Sequence, residues 1–215
     1  PYINEGIRLV ADGVAPAMVD NAARMLGFPV GPLQLVDETS IDLGAKIARA
    51  TKAAMGENYP DSAVDDVLFW MESKGRLGRK AKAGFFSYDA QGKRLGYWEG
   101  LSAQYPLTAQ QPNLIDVQHR LIFVQSLEAV RALEEGVLMD IREGDVGAIL
   151  GWGFAPWSGG PFSWLDILGS PYAAERCNQL HHAYGDRFAC PDLLRSMASK
   201  GQSFYGQAKK AQSAA

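Results

Sequence analysis

Apolar positions along this chain recur at helical spacing almost throughout, and glycine and proline mark the breaks between them. In the first segment Ile3, Ile7 and Val10 fall on one side, with Glu5, Arg8 and Asp12 on the other, which predicts an amphipathic helix. Gly13 ends it. Pro16 opens the next helix, where a first-turn proline loses no helical hydrogen bond. Gly27 closes that helix, and Pro29 prevents its continuation. A longer helix is predicted from about Leu33 to Met55. After it comes one capped by Asp61 or Ser62, with Val64, Leu68 and Met71 on one face. Gly75–Gly84 reads as a basic, glycine-bearing loop, and Gly84–Asp89 alternates too briefly for a firm strand. The second half opens on a longer helix whose Leu114, Val117, Leu121, Val124, Leu127 and Val130 face one way. Asp140–Leu150 predicts a short helix and Gly151–Pro161 a glycine-rich loop. Shorter helices are expected around Phe162–Leu168, Tyr172–Tyr184 and Pro191–Lys200. With strand signals almost absent, the predicted fold class is all-α.

Two stretches about 124 residues apart carry one pattern. The first reads Glu5-x-x-Arg8, Gly13-Val14, Asp20, Gly27-Phe28-Pro29-x-Gly31-Pro32 and Asp37. The second reads Glu128-x-x-Arg131, Gly136-Val137, Asp145, Gly153-Phe154-x-Pro156-x-x-Gly159-Gly160-Pro161 and Asp166. An internal repeat predicts two structural units built alike. Residues 101–113 hold two prolines and no charge, and read as the linker between a first copy over 1–100 and a second over 114–206. Residues 207–215, small and polar, are expected to fray.

Composition narrows the function classes. A net charge of −3, with Lys and Arg spread thinly, argues against non-specific nucleic-acid binding, and no apolar run is long enough to span a bilayer. Cys177 and Cys190, with no CxxC spacing, read as two buried thiols in a reducing compartment. The chain starts at Pro1 inside an apolar-periodic run, which predicts a piece of something longer.

Several groups are candidates for chemistry. Phe28, Pro29, Gly31 and Pro32 form a stiff loop, either a shelf lining a ligand cleft or a tight connection between packed helices. Arg76, Arg79, Lys80 and Lys82 sit together in a glycine-bearing loop. They would meet an anionic ligand or a partner domain, or simply solvate. Neither Gly/Pro loop has the GxGxxG spacing of a nucleotide fingerprint. The adjacent His181 and His182 point to different helix faces and make no metal pair, and no nucleophile–base pair can be assembled from spacing.

The combined motifs point to a family. Pro1-Tyr2-x-x-Glu5-x-x-Arg8-Leu9, Gly27-Phe28-Pro29-x-Gly31-Pro32-x-x-Leu35-x-Asp37 and Gly75-Arg76-x-Gly78-x-Lys80-x-x-x-Gly84-Phe85-Phe86-x-Tyr88 resemble the C-terminal domain of 3-hydroxyacyl-CoA dehydrogenases. The second copy resembles it through Leu133-Glu134-Glu135-Gly136-Val137, Gly151-x-Gly153-Phe154, Ser158-Gly159-Gly160, Pro191-x-Leu193-Leu194 and Gly201-x-x-Phe204-Tyr205. Tandem copies look like the multifunctional enzymes of fatty-acid β-oxidation, in which enoyl-CoA hydratase and NAD-binding regions precede two helical domains.

The resemblance implies an all-α fold like the C-terminal domain of 6-phosphogluconate dehydrogenase, with the copies packed as a pseudo-dimer. It implies NAD held by an upstream domain, an acyl-CoA substrate and a cytoplasmic setting, and it leaves open a thiolase subunit as partner. The family's His, Glu and Ser belong to the NAD domain, and its Asn falls before Pro1; Asn4 is out of register. No catalytic residue carries over, so the chain alone is expected to be inactive. Its expected contributions are the Phe28–Pro32 shelf and, at Arg76, Arg79 and Lys80, contact with an anionic ligand or the missing domain. A freestanding helical interaction module, or the tail of another hydroxy-acid dehydrogenase, are the alternatives.

Overall fold

A computed structural model describes residues 1–59 and 62–206. The fold is helical, as the apolar spacing predicts, and by packing the chain divides into two compact units. One comprises residues 2–25 and 30–117; the other comprises residues 26–29 and 118 onward, with Pro1.

The first unit contains α1 (Tyr2–Ala11), α2 (Pro16–Met25), α3 (Pro32–Thr39), α4 (Ile41–Met55) and α5 (Ala63–Ser73), then a hairpin of β1 (Phe86–Tyr88) and β2 (Arg94–Tyr97), and a short α6 (Gly100–Gln104). Its core gathers Ile7, Leu9, Val19, Leu33, Ile41, Met71 and Phe85, all fully buried. Val64, Leu68 and Met71 face inward from α5 as their spacing requires. Ser62 stands at the N-cap of α5 without a side-chain capping bond, while Asp61 lies outside the described residues. The predicted linker begins as α6, and its continuation is tied to the turn after α1. Thr108 N donates to Gly13 O at 2.9 Å, and Gln111 bridges Gly13 O (3.0 Å) and Ala15 N (2.8 Å).

The second unit is built on α7 (Leu114–Glu134), followed by α8 (Ile141–Trp152), α9 (Pro161–Leu168), α10 (Ser170–Tyr184) and α11 (Asp192–Lys200). Val117, Leu121, Val124, Leu127 and Val130 of α7 are buried. Phe123 meets Trp164 edge-on at 4.7 Å. Asp140 caps α8 through Arg142 N. The tail expected to fray, 207–215, lies outside the described residues.

Two features depart from the sequence reading. The single helix predicted over Leu33–Met55 is two helices, broken at Ser40, which has φ 87°. The apolar period runs straight across the break, so periodicity alone does not reveal it. The turn lets Ile41 N donate to Leu77 O at 3.0 Å, and it places Ser40 Oγ within 3.1 Å of the same oxygen. The second unit breaks at the matching place, eight residues beyond its proline, at Gly169 with φ 83°. The other departure is the two-stranded antiparallel hairpin, in which Phe86 pairs with Tyr97 and Ser87 with Gly96.

These breaks make a testable contrast. Gly169→Ala forces an L side chain into the left-handed region and should cost about 1–3 kcal/mol. Gly147→Ala, inside α8 with open space around it, should instead gain about 0.5–1 kcal/mol. Urea unfolding midpoints of the two variants against the parent measure both signs.

Candidate functional site

Each Gly/Pro loop ends in a proline that starts a buried helix, and the free N–H groups of that first turn need acceptors within the protein. In the first unit Asp20 of α2 supplies one: its carboxylate accepts from Leu33 N, the second residue of α3, at 2.9 Å. In the second unit Asp145 of α8 accepts from Phe162 N at 2.8 Å and Ser163 N at 3.0 Å, at the start of α9. The cap therefore comes from the preceding helix, and the local N-cap residues, Gly31 and Gly160, leave room for it. A Cβ at Gly31 would fall on the Asp20 carboxylate, and one at Gly160 would lie 2.5 Å from the Asp145 Cβ. Gly31 has φ −72°, so its requirement is steric alone; Gly160, at φ 113°, also needs glycine's backbone freedom.

A second carboxylate, five residues after each proline, ties the same helix to a later segment. Asp37 accepts from Phe85 N (2.7 Å), Phe86 N (3.0 Å) and the Tyr88 hydroxyl (2.9 Å). Asp166 accepts from Phe204 N (2.8 Å) and Tyr205 N (2.9 Å). The Tyr205 hydroxyl then donates to Asp145 at 2.9 Å, so one residue serves both carboxylates of the second unit. Phe86 occupies the matching position in the first unit and has no hydroxyl. The hairpin replaces it: Tyr97, packed against Phe86 with ring centroids 4.2 Å apart, donates to Asp20 at 3.1 Å. Burial pushes both Asp20 and Asp37 above the ordinary carboxylate range, Asp37 to about 6, against the pull of these donors.

The residues singled out from the sequence occupy different environments. Phe28 is buried, edge-on to Phe154 at 5.5 Å, and Gly31 and Pro32 are buried as well. Pro29 is exposed. Residues 26–29 belong to the unit of the second copy, where Trp157 Nε1 donates to Leu26 O at 2.5 Å. Arg76 faces inward: Nε donates to Gly84 O (2.7 Å), Nη2 donates to Phe86 O (2.9 Å), and the guanidinium lies 4.2 Å over the Trp98 ring. It braces the hairpin. Arg79 and Lys80 are exposed, Arg79 standing 3.9 Å from Glu38.

An apolar cavity of about 180 Å³ in the first unit is lined by Val10, Val14, Tyr97, Trp98, Leu101 and Tyr105 among others, with nothing from the Gly27–Pro32 loop. Among the described residues no three His, Cys, Asp or Glu side chains gather as a metal site. The four aspartates and Tyr205 stand in the sequence motifs without a role of their own, and Tyr97 stands in none of them. The equal proline-to-aspartate spacing was the available signal.

Two predictions follow from this geometry. Gly31→Ala and Asp20→Ala should each destabilise, by about 1–3 kcal/mol, the first through overpacking and the second by orphaning Leu33 N. Because the added methyl occupies the space of the removed carboxylate, the double variant should lose about 1–2 kcal/mol less than the sum; additive losses would refute the steric link. The second concerns pH. The folded Asp37 value of about 6 lies above the unfolded value of about 3.9, so the native state binds more protons between them. Wild type should therefore lose stability relative to Asp37→Asn as pH rises from about 4 to about 6, by on the order of 2 kcal/mol. Paired urea titrations across that window measure it, and a pH-independent difference would contradict it.

Comparison with known proteins places this arrangement. Residues 1–88 match the family model of the 3-hydroxyacyl-CoA dehydrogenase C-terminal domain. The fatty acid oxidation complex subunit alpha of Shewanella loihica is 38% identical over 205 residues, which is 95% of this chain and 29% of that relative. The chain thus spans less than a third of the length of that relative. Two solved structures share the fold. One is 3-hydroxybutyryl-CoA dehydrogenase from Escherichia coli, with TM-score 0.66 and 21% identity over 94% of this chain and 58% of the other. The second is the dehydrogenase part of multifunctional enzyme 1 from C. elegans, with TM-score 0.66 and 23% identity over 91% and 45%. Residues 1–88, which hold the paired carboxylates that pin α3, are thus similar to the C-terminal domain of 3-hydroxyacyl-CoA dehydrogenases.

Proposed function

We propose that this chain is the helical C-terminal part of an NAD-dependent 3-hydroxyacyl-CoA dehydrogenase acting in fatty-acid oxidation. The observation that carries this is the 38% identity to a fatty acid oxidation complex alpha subunit, sustained over 95% of the chain. The residues present do not fit NAD. The only sheet among the described residues is a two-stranded antiparallel hairpin, whereas the dinucleotide fold needs a parallel strand–loop–helix unit. In this reading NAD and the proton-transferring groups belong to a further domain, and no step of the reaction is assigned to this chain.

The contribution of this chain is then geometric. A cleft closed between domains excludes water and positions the acyl-CoA, and a wall of such a cleft must be stiff. The Gly27–Pro32 loop has that property, because Asp20 and Asp145 hold the helices on which both loops end. Pro29 is the exposed residue of the four first considered for the shelf, and it is the one proposed to meet substrate. Arg79 and Lys80, exposed beside α3, are proposed to face an anionic group of the acyl-CoA or the NAD domain. The name of the Shewanella relative points to a second subunit in a complex, for which a thiolase is the reading carried over from the resemblance.

The test is a coupled NADH absorbance assay with a 3-hydroxyacyl-CoA. The full-length protein should turn over, and residues 1–215 alone should not; appreciable turnover by the 215 residues would overturn the division of labour. In the full-length protein Pro29→Glu should raise KM about tenfold, a loss of about 1.4 kcal/mol in substrate binding, with an unchanged melting temperature. An unchanged KM would remove Pro29 from the cleft.

A further inference from the structure

We propose that the apolar cavity of the first unit is a binding site for a small uncharged ligand, about the size of one substituted aromatic ring. Its volume is about 180 Å³. Protein interiors are close-packed and leave few voids larger than a water molecule, and an apolar cavity of about 150 Å³ stays dry and admits benzene. The lining runs from Val10, Val14 and Leu101, which are buried, to Glu99, Ser102 and Leu107, which are exposed. The cavity therefore has an apolar floor and opens to solvent at a more polar rim. The Gly27–Pro32 loop contributes nothing to the lining, so this site is separate from the proposed shelf.

The walls come from two stretches of chain. Val10, Val14 and Pro16 belong to the end of α1 and the start of α2, and the others fall between Tyr97 and Leu107. The second unit closes its carboxylate clamp without such a stretch, because Tyr205 itself reaches Asp145. Tyr97 is both a wall of the cavity and the donor to Asp20 at 3.1 Å. A ligand here packs against the side chain that completes the clamp on α3.

The polar groups of the walls decide what fits. A buried water needs about two to four polar partners. The Tyr97 hydroxyl is spent on Asp20, and the Ser102 hydroxyl donates to Glu99 O at 2.9 Å, so water is a poor occupant. A cation is disfavoured as well. Its attraction to an aromatic ring needs an open face, but Trp98 is stacked on Trp70 with centroids 5.2 Å apart and carries the Arg76 guanidinium 4.2 Å over its ring. The Tyr97 ring packs on Phe86 at 4.2 Å. An anion would meet Glu99, which has no cationic partner among the described residues. An uncharged molecule with an apolar body remains, bound because its surface leaves water.

The experiment is calorimetric titration of the full-length protein at neutral pH with three probes of one shape. They are p-cresol, which is uncharged, p-toluate, an anion, and p-methylbenzylammonium, a cation. p-Cresol should bind saturably with Kd on the order of 0.1–1 mM. Each charged probe should bind at least about tenfold more weakly, because a charge loses hydration without gaining a partner. Val14→Phe fills the floor and Ser102→Trp blocks the mouth, and each should weaken p-cresol binding by about tenfold or more. Ser102 is exposed, so its replacement leaves the core intact; an unchanged melting temperature is the check on both variants. Glu99→Gln should strengthen p-toluate binding about fivefold by removing one like charge, with p-cresol unaffected. Absence of saturable p-cresol binding, p-cresol binding that Val14→Phe and Ser102→Trp leave unchanged, or equal affinity for the three probes would overturn the proposal.

Discussion

The structure of each unit depends on one buried contact, a carboxylate from one helix capping the proline-led start of the next. Asp20 does this for α3 and Asp145 for α9. The proline and the capped turn act together. Proline removes one free N–H from the first turn, and the aspartate satisfies another that burial would otherwise leave without a partner. The glycine before the proline is then fixed by volume, because the carboxylate occupies the space of its Cβ. Three residue types widely separated in chemistry are thus one interaction, which is why they recur together in both copies.

The second tier follows from the first. Once α3 and α9 are fixed at their starts, Asp37 and Asp166 project from them at a set position and draw in Phe85–Phe86 and Phe204–Tyr205. In the second unit this finishes the assembly, since Tyr205 returns its hydroxyl to Asp145. In the first unit the hairpin must be present for Tyr97 to reach Asp20. Arg76 then holds the hairpin by binding Gly84 O and Phe86 O. The cation that looked, from sequence, like part of a surface cluster is committed to this internal tie.

Most helices were legible because burial of one face imposes a period that survives in the sequence. What was not legible depends on contacts with no local period. Ser40 breaks a helix through a left-handed backbone that serine does not advertise, and only its alignment with Gly169, eight residues after the other proline, exposes it. Tyr97 is invisible as a site residue because its partner Asp20 is 77 positions away. Repeated letters also misled in one respect. Glu5 is buried, whereas Glu128, its counterpart, has a side chain 59% exposed and pairs with Arg131. Identical spacing there does not bring a shared environment.

The unequal closing segments bear on where the two copies diverged. From Gly201 to Gly206 the second unit completes its clamp within a few residues, whereas the first uses the chain from Gly75 to Tyr97 for the same contacts. The additional chain includes Arg79, Lys80 and the hairpin, none of which the carboxylate clamp itself requires in the second unit. A longer route to an equivalent hydrogen bond costs ordering entropy, and part of that cost is met by new packing: Trp98 stacks on Trp70 with ring centroids 5.2 Å apart, and Phe85 is fully buried. The exposed cations gain nothing comparable from the fold. Of the two copies, the first therefore carries the exposed cations that the fold leaves unexplained.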